Sequence, residues 1–379
     1  MRILLLNHYI PPDPAPTGRL IGELAEVLRE NGWDAELVSG SRGGYRDSGA
    51  GKKSSKLLGW LRAHLLVIWR GIRAPRADLV LCLTDPPFLP LTASVIARFH
   101  RARLAHWCMD LYPELAIELD EVPHSTRPIV RQLGKLMQRI YRSSDPLVAL
   151  DEAMAGRLAG MGGAAERGRI EVIPPWVQGS VDVGPEPSQD PDRFTWLYSG
   201  NLGRAHVYET LLQAQMRIEE ADPPVAIELV FQGRGALREE AEARANELGL
   251  KRCIFRDYAP EAELVCRLRE ADLLVVTLDE ALSGMLWPSK MALLKHLERG
   301  IVWVGPAGEI SDWLESRKPD SAAFRPGDGD SLADWVLTQS AKKARLSGGQ
   351  LGLESVHQER REACLRFEKI LRRAVLGCQ

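Results

Sequence analysis

The feature that most constrains the fold is a series of short apolar runs separated by segments with helical spacing. In the first half these runs are RILLL, AELVS, DLVLCL and RLAHWC, and the first helical segment carries Leu20, Ile21, Leu24, Val27 and Leu28. Strands that are apolar without alternation are buried on both faces, which is typical of a parallel sheet covered by helices. The sequence therefore predicts an α/β, doubly wound fold.

The same rhythm starts again in the second half, with the runs FTWLYS, AIELVF, CIFRDY, DLLVVTL and IVWVGP. Between the halves lies QGSVDVGPEPSQDPDR, which is rich in Pro, Asp and Ser and reads as a linker. A chain of 379 residues is long enough for two domains. We predict a first domain over 1–177, a linker over 178–193, a second domain over 194–350 and a last helix over 351–379 that packs back on the first domain.

Composition and charge exclude several classes of protein. The formal net charge is -2, with +4 in residues 1–177 and -6 in the rest, so nothing indicates a nucleic-acid partner. The six cysteines form no CxxC pair and indicate reduced thiols. The start MRILLLNHYIPP is too short in apolar residues for a signal peptide, and no apolar run approaches the roughly 18 residues of a membrane span. We therefore expect a cytoplasmic protein, or one attached to the membrane from that side.

Both halves open with a strand, an irregular turn and a helix. In the first, HYIPPDPAPTGRL suggests Thr17 as the helix N-cap, with Gly18 and Arg19 at the helix entrance. In the second, Gly200 and Gly203 remove side chains that would keep a ligand from the backbone amides. A helix N-terminus favours an anion, and a diphosphate fits best. The alternative is that these glycines only make tight turns.

A second candidate for anion binding is the segment PSKMALLKHLERG. Pro288 and Ser289 indicate a helix start, and Lys290 is a cation in its first turn, where a cation is unfavourable unless an anion is bound. Glu298 would lie two turns along the same helix face and could reach a ribose hydroxyl. The alternative for Lys290 is an ordinary surface lysine.

Other catalytic signatures are missing or weak. There is no GxGxxG, no GxSxG and no HExxH, and no GKS or GKT follows the glycine turns. Two DxD matches, Asp190-Pro191-Asp192 and Asp328-Gly329-Asp330, fall in the linker and in a turn. We therefore expect no metal and no cofactor.

Residues 52–76 raise the question of membrane contact. They contain seven Lys or Arg, no acid occurs between Asp47 and Asp78, and Trp60 and Trp69 flank the apolar part. Basic helices with tryptophan commonly lie on anionic membrane surfaces. The alternative is a core-facing stripe, made of Leu57, Leu61, Leu65, Ile68 and Ile72.

The chain resembles the retaining glycosyltransferases of family 4, which have the GT-B fold of two Rossmann-like domains facing a central cleft. The resemblance is carried by PPDPAPTGR, DLYPELA, IEVIPPWV, YSGNLGRAH, FQGRG and PSKMALLKHLERG, in the family's order over nearly the whole chain. DLYPE and PSK are similar to the branch that builds bacterial O-antigen, capsule and colanic-acid-type polysaccharides. Such an enzyme would transfer a sugar from a nucleotide-diphosphate sugar, with UDP as the expected nucleotide, to a lipid-linked or glycan acceptor.

The resemblance also implies site residues. The second domain would hold the donor and the first would hold the acceptor, with Lys290, Asp110 and Glu114 as the catalytic positions. The donor-binding positions would be Gly18, Arg19, Gly200, Asn201, Gly203, His206, Gly233, Arg256, Tyr258, Ser289, Lys290 and Glu298. Fixed dipoles and cations would stabilise the departing diphosphate.

The chain departs from the family pattern at several positions. Asn201 and His206 stand where many members have Arg and Lys, Lys290 stands at the first Glu of a Glu-x7-Glu pair, and Met109 replaces a histidine before Asp110. Two other functions therefore stay open: a GT-B-fold epimerase of a nucleotide sugar, and an inactive nucleotide-sugar-binding scaffold.

Overall fold

The chain forms two compact units, each built on one sheet. The computed structural model describes residues 1–13, 15–41, 53–163, 170–179, 181, 190, 192–342 and 353–377. Unit 1 comprises Met1–Gly179, Gly284–Trp287 and Val356–Gln379, and unit 2 comprises Ser180–Ser283 and Pro288–Ser355. Most of the predicted linker 178–193 and the predicted boundary at residue 350 lie outside the described residues.

Unit 1 contains a parallel sheet of six strands in the order β2-β1-β3-β4-β5-β6. The strands are β1 (Arg2–Asn7), β2 (Asp34–Ser39), β3 (Leu79–Cys82), β4 (Arg103–Trp107), β5 (Leu147–Ala149) and β6 (Ile170–Val172). The helices are α1 (Pro16–Glu30), α2 (Lys53–Arg73), α3 (Leu89–His100), α4 (Glu114–Glu118), α5 (Arg127–Ser143) and α6 (Glu152–Leu158). The continuous apolar runs are these strands, which confirms the doubly wound α/β prediction for this unit.

Unit 2 repeats the architecture with the strand order β12-β11-β10-β7-β8-β9, again parallel throughout. The strands are β7 (Arg193–Ser199), β8 (Ala226–Gln232), β9 (Cys253–Arg256), β10 (Leu273–Thr277), β11 (Gly300–Val304) and β12 (Ala322–Phe324). The helices are α7 (Glu209–Glu220), α8 (Arg238–Glu247), α9 (Leu264–Glu270), α10 (Met291–Leu294), α11 (Glu309–Arg317) and α12 (Gly329–Lys342). Its core includes the buried aromatic side chains of Phe194, Trp196, Tyr198 and Phe231.

The last helix, α13 (Leu353–Leu376), packs within unit 1 from Val356 onward. Glu368 accepts a hydrogen bond of 2.9 Å from the indole Nε1 of Trp33, and the Phe367 ring lies 4.7 Å from that of Trp107. The apolar stripe of this helix is therefore buried against the first domain, where Phe367 is fully enclosed.

Helix α2 buries a different face from the one that a core stripe would require. Among its described positions, Ala63, Val67 and Gly71 are buried, whereas Leu61 and Leu65 are 55% and 58% exposed. Small residues face the core because the helix packs close: a β-carbon on Gly71 would lie 2.6 Å from Cδ1 of Ile96 in α3. The alternative of a core-facing stripe is therefore wrong at Leu61 and Leu65.

Candidate functional site

In unit 2, a glycine ends the first strand at the carboxyl edge of the sheet. Gly200 follows β7 with φ +137°, a backbone conformation that side chains with a β-carbon rarely adopt. A β-carbon there would lie 3.3 Å from Nζ of Lys290. The bare position thus lets the Lys290 ammonium approach the turn that follows β7.

The neighbouring strand ends in a second glycine turn that supports the first. Gly233 has φ +140°, and a β-carbon on it would overlap the carbonyl oxygen of Gly200. The Gly200 N–H donates to Gln232 O at 2.8 Å, so this amide is already used. Within the described residues, the N–H groups of Asn201 and Gly203 make no hydrogen bond, which leaves them as donors for an anion.

The most unusual group in this turn is the side chain of Lys290. Its Nζ atom is buried, has no hydrogen-bond partner within the described part of the chain, and lies 3.5 Å from the centroid of the Tyr198 ring. Burial lowers the pKa of Lys290 to about 7. The ring offers a cation–π contact, and the Tyr198 hydroxyl donates to Asn201 O at 2.9 Å, which fixes the ring in place. An unpaired buried ammonium is costly, and a bound anion would offset that cost.

His206 lies in the same cluster as a neutral ring. Its Nδ1 is 2.7 Å from the carbonyl oxygen of Thr277, which can only accept, so Nδ1 carries the proton. Burial and the nearby Lys290 charge lower the pKa of His206 to about 3, against the opposing effect of the Thr277 carbonyl. Its Nε2 is therefore a hydrogen-bond acceptor, suited to a hydroxyl group rather than to a phosphate.

The loop after β7 differs from the sequence prediction. Helix α7 begins at Glu209, so Gly203 precedes it by six residues and Val207 is outside it. The expectation that these glycines lead directly into a helix N-terminus is wrong, because His206 turns back to Thr277 before the helix starts. An anion here would meet loop amides and the Lys290 ammonium.

The segment around α10 also departs from expectation. The helix spans only Met291–Leu294, so Lys290 precedes it and the exposed Ser289 lies in the turn before. Glu298 lies beyond the helix, just before β11, and therefore at the amino edge of the sheet. Lys290 lies at the carboxyl edge beside Gly200, so the prediction that Glu298 shares a helix face with it is wrong.

Two other predicted donor positions, Arg256 and Tyr258, lie at the end of β9, beside the turn that follows β8. A β-carbon on Gly233 would lie 3.1 Å from Cε1 of Tyr258, which places that half-exposed ring beside the glycine turns. The carbonyl of Arg256 accepts from the Gly233 N–H at 2.9 Å. Arg256 also lines a cavity of about 230 Å³ together with Thr195 and Asp272. Its carbonyl thus contacts the Gly233 turn.

In unit 1, polar groups meet at the carboxyl edge of the sheet. The His8 N–H donates to Asp85 O at 2.8 Å, and the His8 Nδ1 lies 3.7 Å from Asp85 Oδ1, too far for a hydrogen bond. Thr84 Oγ1 accepts from the Met109 N–H at 2.9 Å and holds the chain before Asp110. Burial, and then the Asp85 charge, raise the pKa of Asp110 to about 6.

Glu114 has different surroundings from Asp110. It begins α4 and lines a cavity of about 350 Å³ with Arg131 and Lys135 of α5. Its Oε2 atom is buried and has no partner among the described residues. Burial raises the pKa of Glu114, and the Arg157 charge opposes that effect. The two predicted catalytic carboxylates thus have different neighbours. Asp110 is influenced by the Asp85 charge, and Glu114 lines the cavity beside α5.

The entrance of α1 follows a different cap from the predicted one. The helix begins at Pro16 after Ala15, because proline is preorganised for the first helical position. Thr17 is inside the helix and accepts a 3.2 Å hydrogen bond from Asn7, so the N-cap prediction is wrong. Gly18 is buried against the Tyr9 carbonyl, and the Arg19 guanidinium lies beside Gly179.

The described residues contain no group of three or more His, Cys, Asp or Glu side chains placed to hold a metal ion. The second DxD match has a structural role, because Asp328 Oδ1 accepts from the Ser331 N–H at 3.3 Å where α12 begins. Within the same residues, no helix is both long enough and apolar enough to cross a bilayer.

A protein-family model matches most of the first predicted domain. Residues 17–176 match the model described as Glycosyl transferase 4-like domain. This part of the chain is similar to that family. The match starts inside α1 and ends after β6, and it includes the edge that carries Asp85 and Asp110.

A relative by sequence is the protein named Probable glycosyltransferase WbjE from Pseudomonas aeruginosa. It is 27% identical over 263 residues, which are 66% of this chain and 63% of WbjE. The alignment therefore spans less than two thirds of that relative.

Solved structures share the fold at low sequence identity. The apo form of the lipopolysaccharide outer core galactosyltransferase WaaB has a TM-score of 0.61 at 14% identity, covering 100% of this chain and 99% of WaaB. A UDP-forming α,α-trehalose-phosphate synthase from Burkholderia vietnamiensis has a TM-score of 0.60 at 12% identity, with coverage of 100% and 99%. The chain has the two-sheet α/β fold of the GT-B glycosyltransferases. The domain match and the named relatives support a glycosyltransferase.

Sequence reasoning missed three residues that shape these clusters. Asp85 follows a buried strand in LCLTDPP, which is a signal for the carboxyl edge of a parallel sheet. Tyr198 and Thr277 are also at strand ends, but they read as ordinary strand residues. Only the folded sheet reveals that they contact Lys290 and His206.

Proposed function

We propose that the protein is a retaining, metal-independent glycosyltransferase that moves a sugar from a nucleotide-diphosphate sugar to a lipid-linked or glycan acceptor. The observation that carries this proposal is the buried ammonium of Lys290 beside the Gly200 turn, which has no hydrogen-bond partner in the part of the chain that the structure describes. The glycosyl transferase 4-like domain at residues 17–176 supports the reaction class.

A diphosphate is the anion that best fits the Lys290 turn. The ammonium supplies one positive charge, and the N–H groups of Asn201 and Gly203 supply neutral donors on the adjacent loop. Sugar transfer leaves a nucleotide diphosphate whose charge grows as the glycosidic bond breaks. Donors that are already in place stabilise that charge without reorganisation, and here they do so without a metal.

The remaining polar groups of the turn suit the uncharged parts of a donor. His206 is neutral, so its Nε2 would accept a hydrogen bond from a sugar or ribose hydroxyl. Tyr258 is half-exposed beside Gly233 and would stack on the base. UDP is the proposed nucleotide, and the name of the UDP-forming relative in fold is consistent with it.

Asp110 is the proposed group for orienting the acceptor hydroxyl. Its pKa of about 6 means that the carboxylate is largely ionised at neutral pH, so it can accept a hydrogen bond from that hydroxyl. In the retaining course, which rests on the resemblance to family 4, the departing phosphate takes the proton and Asp110 aligns the hydroxyl. Glu114 would contact the acceptor from its own cavity beside α5.

The proposed setting is bacterial surface polysaccharide synthesis at the inner face of the cytoplasmic membrane. The name of WaaB, a lipopolysaccharide outer core galactosyltransferase that shares the fold, is consistent with such a role. Residues 52–76 would contact anionic lipid and so hold the protein at the membrane, where a lipid-linked acceptor is found. Helix α2 supports this contact because Leu61, Leu65 and Trp69 are exposed on it.

The decisive experiment combines donor binding with product analysis. Thermal-shift screening against UDP, GDP and their sugar derivatives identifies the donor, and turnover is then measured with a membrane extract as the acceptor source. We expect a stabilising UDP-sugar, transfer to acceptor and a product with the donor's anomeric configuration by NMR.

Each alternative gives a different result in the same experiment. A free isomerised nucleotide sugar would identify an epimerase, and binding without turnover would identify a scaffold. An inverted anomeric centre would refute the retaining course. Near-normal turnover in Lys290→Ala would refute the role of that lysine.

A further inference from the structure

Large exposed apolar side chains are concentrated on three helices of unit 1. Among the described residues, 11 such side chains are exposed, and nine of them lie on α2, α3 and α5. They are Leu58, Trp60, Leu61, Leu65, Trp69, Val95, Phe99, Ile129 and Leu136. Scattered exposed leucines need no explanation, but a contiguous group on neighbouring helices indicates a contact surface.

The residues are spaced so that each helix presents one stripe. On α2, Leu58, Leu61, Leu65 and Trp69 recur every three or four residues and are 55–58% exposed. On α3, Val95 and Phe99 are four residues apart. Residues three or four apart share one side of a helix. Each stripe is therefore continuous along its helix.

The three helices lie side by side on one face of the sheet. Val67 of α2 and Ile96 of α3 belong to one buried cluster, and Ile140 of α5 packs against it. Gly71 of α2 allows a close approach to Ile96. Because α3 contacts both α2 and α5, its exposed residues lie between those of the other two helices. We call the outward side of α2, α3 and α5 the three-helix face.

The three helices that form this face contain no acidic residue, and Arg127 at the start of α5 pairs with Asp120, which lies before that helix. The three helices contain five Lys or Arg in α2, one in α3 and five in α5, and no Asp or Glu in any of them. The whole chain has 51 acidic residues, so their absence from three adjacent helices is a selective pattern. Exposed cations accompany the apolar stripes, with Arg73 over the Trp69 ring at 4.4 Å and Arg98 next to Phe99.

We propose that the three-helix face is the membrane-docking surface, with an anionic phospholipid bilayer as its occupant. This deepens the membrane contact proposed for residues 52–76 and rests on it, but moves the centre of the surface to α3. Phe99, Val95 and Trp69 enter the headgroup region, and Arg62, Arg73 and Arg98 pair with lipid phosphates. The absence of acids favours a bilayer over a second copy of the chain, since a symmetric contact would bring like charges together.

The test is co-sedimentation of the full chain with vesicles of phosphatidylethanolamine containing phosphatidylglycerol, compared with neutral phosphatidylcholine vesicles. We expect binding to the anionic vesicles, weakened by salt. Phe99→Ser should lower the partition coefficient roughly fivefold, because a half-exposed phenyl ring is lost from the interface. Arg98→Gln should lower it about fivefold as well, and Phe99→Trp should retain binding.

A matched control lies on another helix of the same unit. Leu376 of α13 and Phe99 are both 60% exposed, and Leu376→Ser should leave vesicle binding unchanged. Binding of Phe99→Ser and Val95→Ser at the wild-type level would overturn the proposal. So would a dimer in light scattering that Phe99→Ser converts to monomer, because the face would then be a self-association surface.

Failure of this inference is distinguishable from failure of the proposed function. If Trp69→Ser releases the protein from vesicles and Phe99→Ser does not, contact through α2 stands and the extension to α3 falls. Donor binding and the thermal shift by nucleotide sugars are measured without lipid, so neither depends on the three-helix face. Phe99→Ser should keep both at the wild-type level.

Discussion

The Nζ atom of Lys290 lies 3.5 Å from the centre of the Tyr198 ring, at a turn where a β-carbon on Gly200 would come within 3.3 Å of it. The ring recovers part of the solvation that burial removes, but it supplies no hydrogen bond. The folded chain therefore holds an incompletely solvated charge at the carboxyl edge of its second sheet. Sites held ready for a charged ligand commonly reduce stability in its absence.

Lys290→Met should abolish donor binding and make the unliganded protein more stable. Methionine keeps the apolar stem and removes the buried charge, which should stabilise the fold by about 1 kcal/mol or more, since the Nζ atom that carries the charge is itself buried. The gain should be largest at pH 6. Between pH 7 and 10.5 the unfolded chain keeps a proton that the folded chain has lost, so the stability of the unsubstituted protein rises with pH and closes the gap. Urea unfolding at pH 6 and pH 9 measures this.

Lys318→Met is the matched control for that substitution. Burial also lowers the pKa of Lys318, but its Nζ donates to the carbonyls of Lys295, at 3.4 Å, and Leu297. Its loss should destabilise the fold and leave donor binding intact. A destabilised Lys290→Met that still binds donor would show that Lys290 is a structural residue.

Donor affinity should fall as the pH rises above 7. Below this value Lys290 is already protonated, so it contributes no pH dependence there. Above it, diphosphate binding must draw a proton onto Lys290, and affinity should fall by up to about tenfold per pH unit until the pKa of the bound state is reached. Isothermal titration calorimetry in buffers of different ionisation enthalpy measures the proton uptake. A Lys290→Arg variant that binds should lack this slope, and an equal slope in it would contradict the assignment.

Gly200→Ala should weaken donor binding more than it weakens the fold. Alanine at φ +137° is strained by about 1–3 kcal/mol, and its β-carbon would press on Nζ of Lys290. Gly249→Ala provides the comparison, because Gly249 also has a positive φ of +69° but nothing lies within 4 Å of the added carbon. Both variants should lose stability in thermal denaturation, and only Gly200→Ala should lose binding in the same samples. Equal donor affinities for the two variants would argue against a site at this turn.

Transfer activity should decline below pH 6 as Asp110 becomes protonated. Its pKa is raised to about 6 by burial and by the Asp85 charge, so the carboxylate form is lost as the pH falls through that value. Asp110→Asn should remove this acid limb together with most of the activity. Asp85→Asn should move the limb to lower pH while leaving a measurable rate, because one of the two causes of the raised pKa is gone. A pH profile that both substitutions leave unchanged would exclude Asp110 from the reaction.

Residues 52–76 show how far a sequence can determine which face of a helix is buried. Residues 52–76 predicted a helix, and both a lipid surface and a core were open to it. The structure places Leu61 and Leu65 outside because the core side of α2 is made of Ala63 and Val67, which fit the close approach of α3. When one helix has two apolar stripes, the sequence does not show which of them faces the core, because that depends on the distance to the neighbouring helix.

The sequence located some of the predicted site residues correctly relative to one another and misplaced others. Gly200 and Lys290 were recognised from local patterns, and the structure brings them together, while their roles in binding remain predictions. Glu298 was assigned by extending a helix that ends at Leu294. Helix length is decided here by packing, since the chain must return to β11 within a few residues, and no local signal at Leu294 announces it.

The sequence by itself determined the alternation of strands and helices, because apolar periodicity and backbone preference are local properties. It also determined where the chain could turn without side chains, as at Gly200 and Gly233. Only the tertiary structure decided which groups meet: Lys290 on Tyr198, Asp110 near Asp85, and Phe99 between the stripes of α2 and α5. Those contacts join residues distant in the chain, and they depend on the order of parallel strands and on the spacing of the helices over them. Burial in the folded protein then sets the charge state of each titratable group. The extent of that burial cannot be read from the residues that precede and follow the group in the sequence.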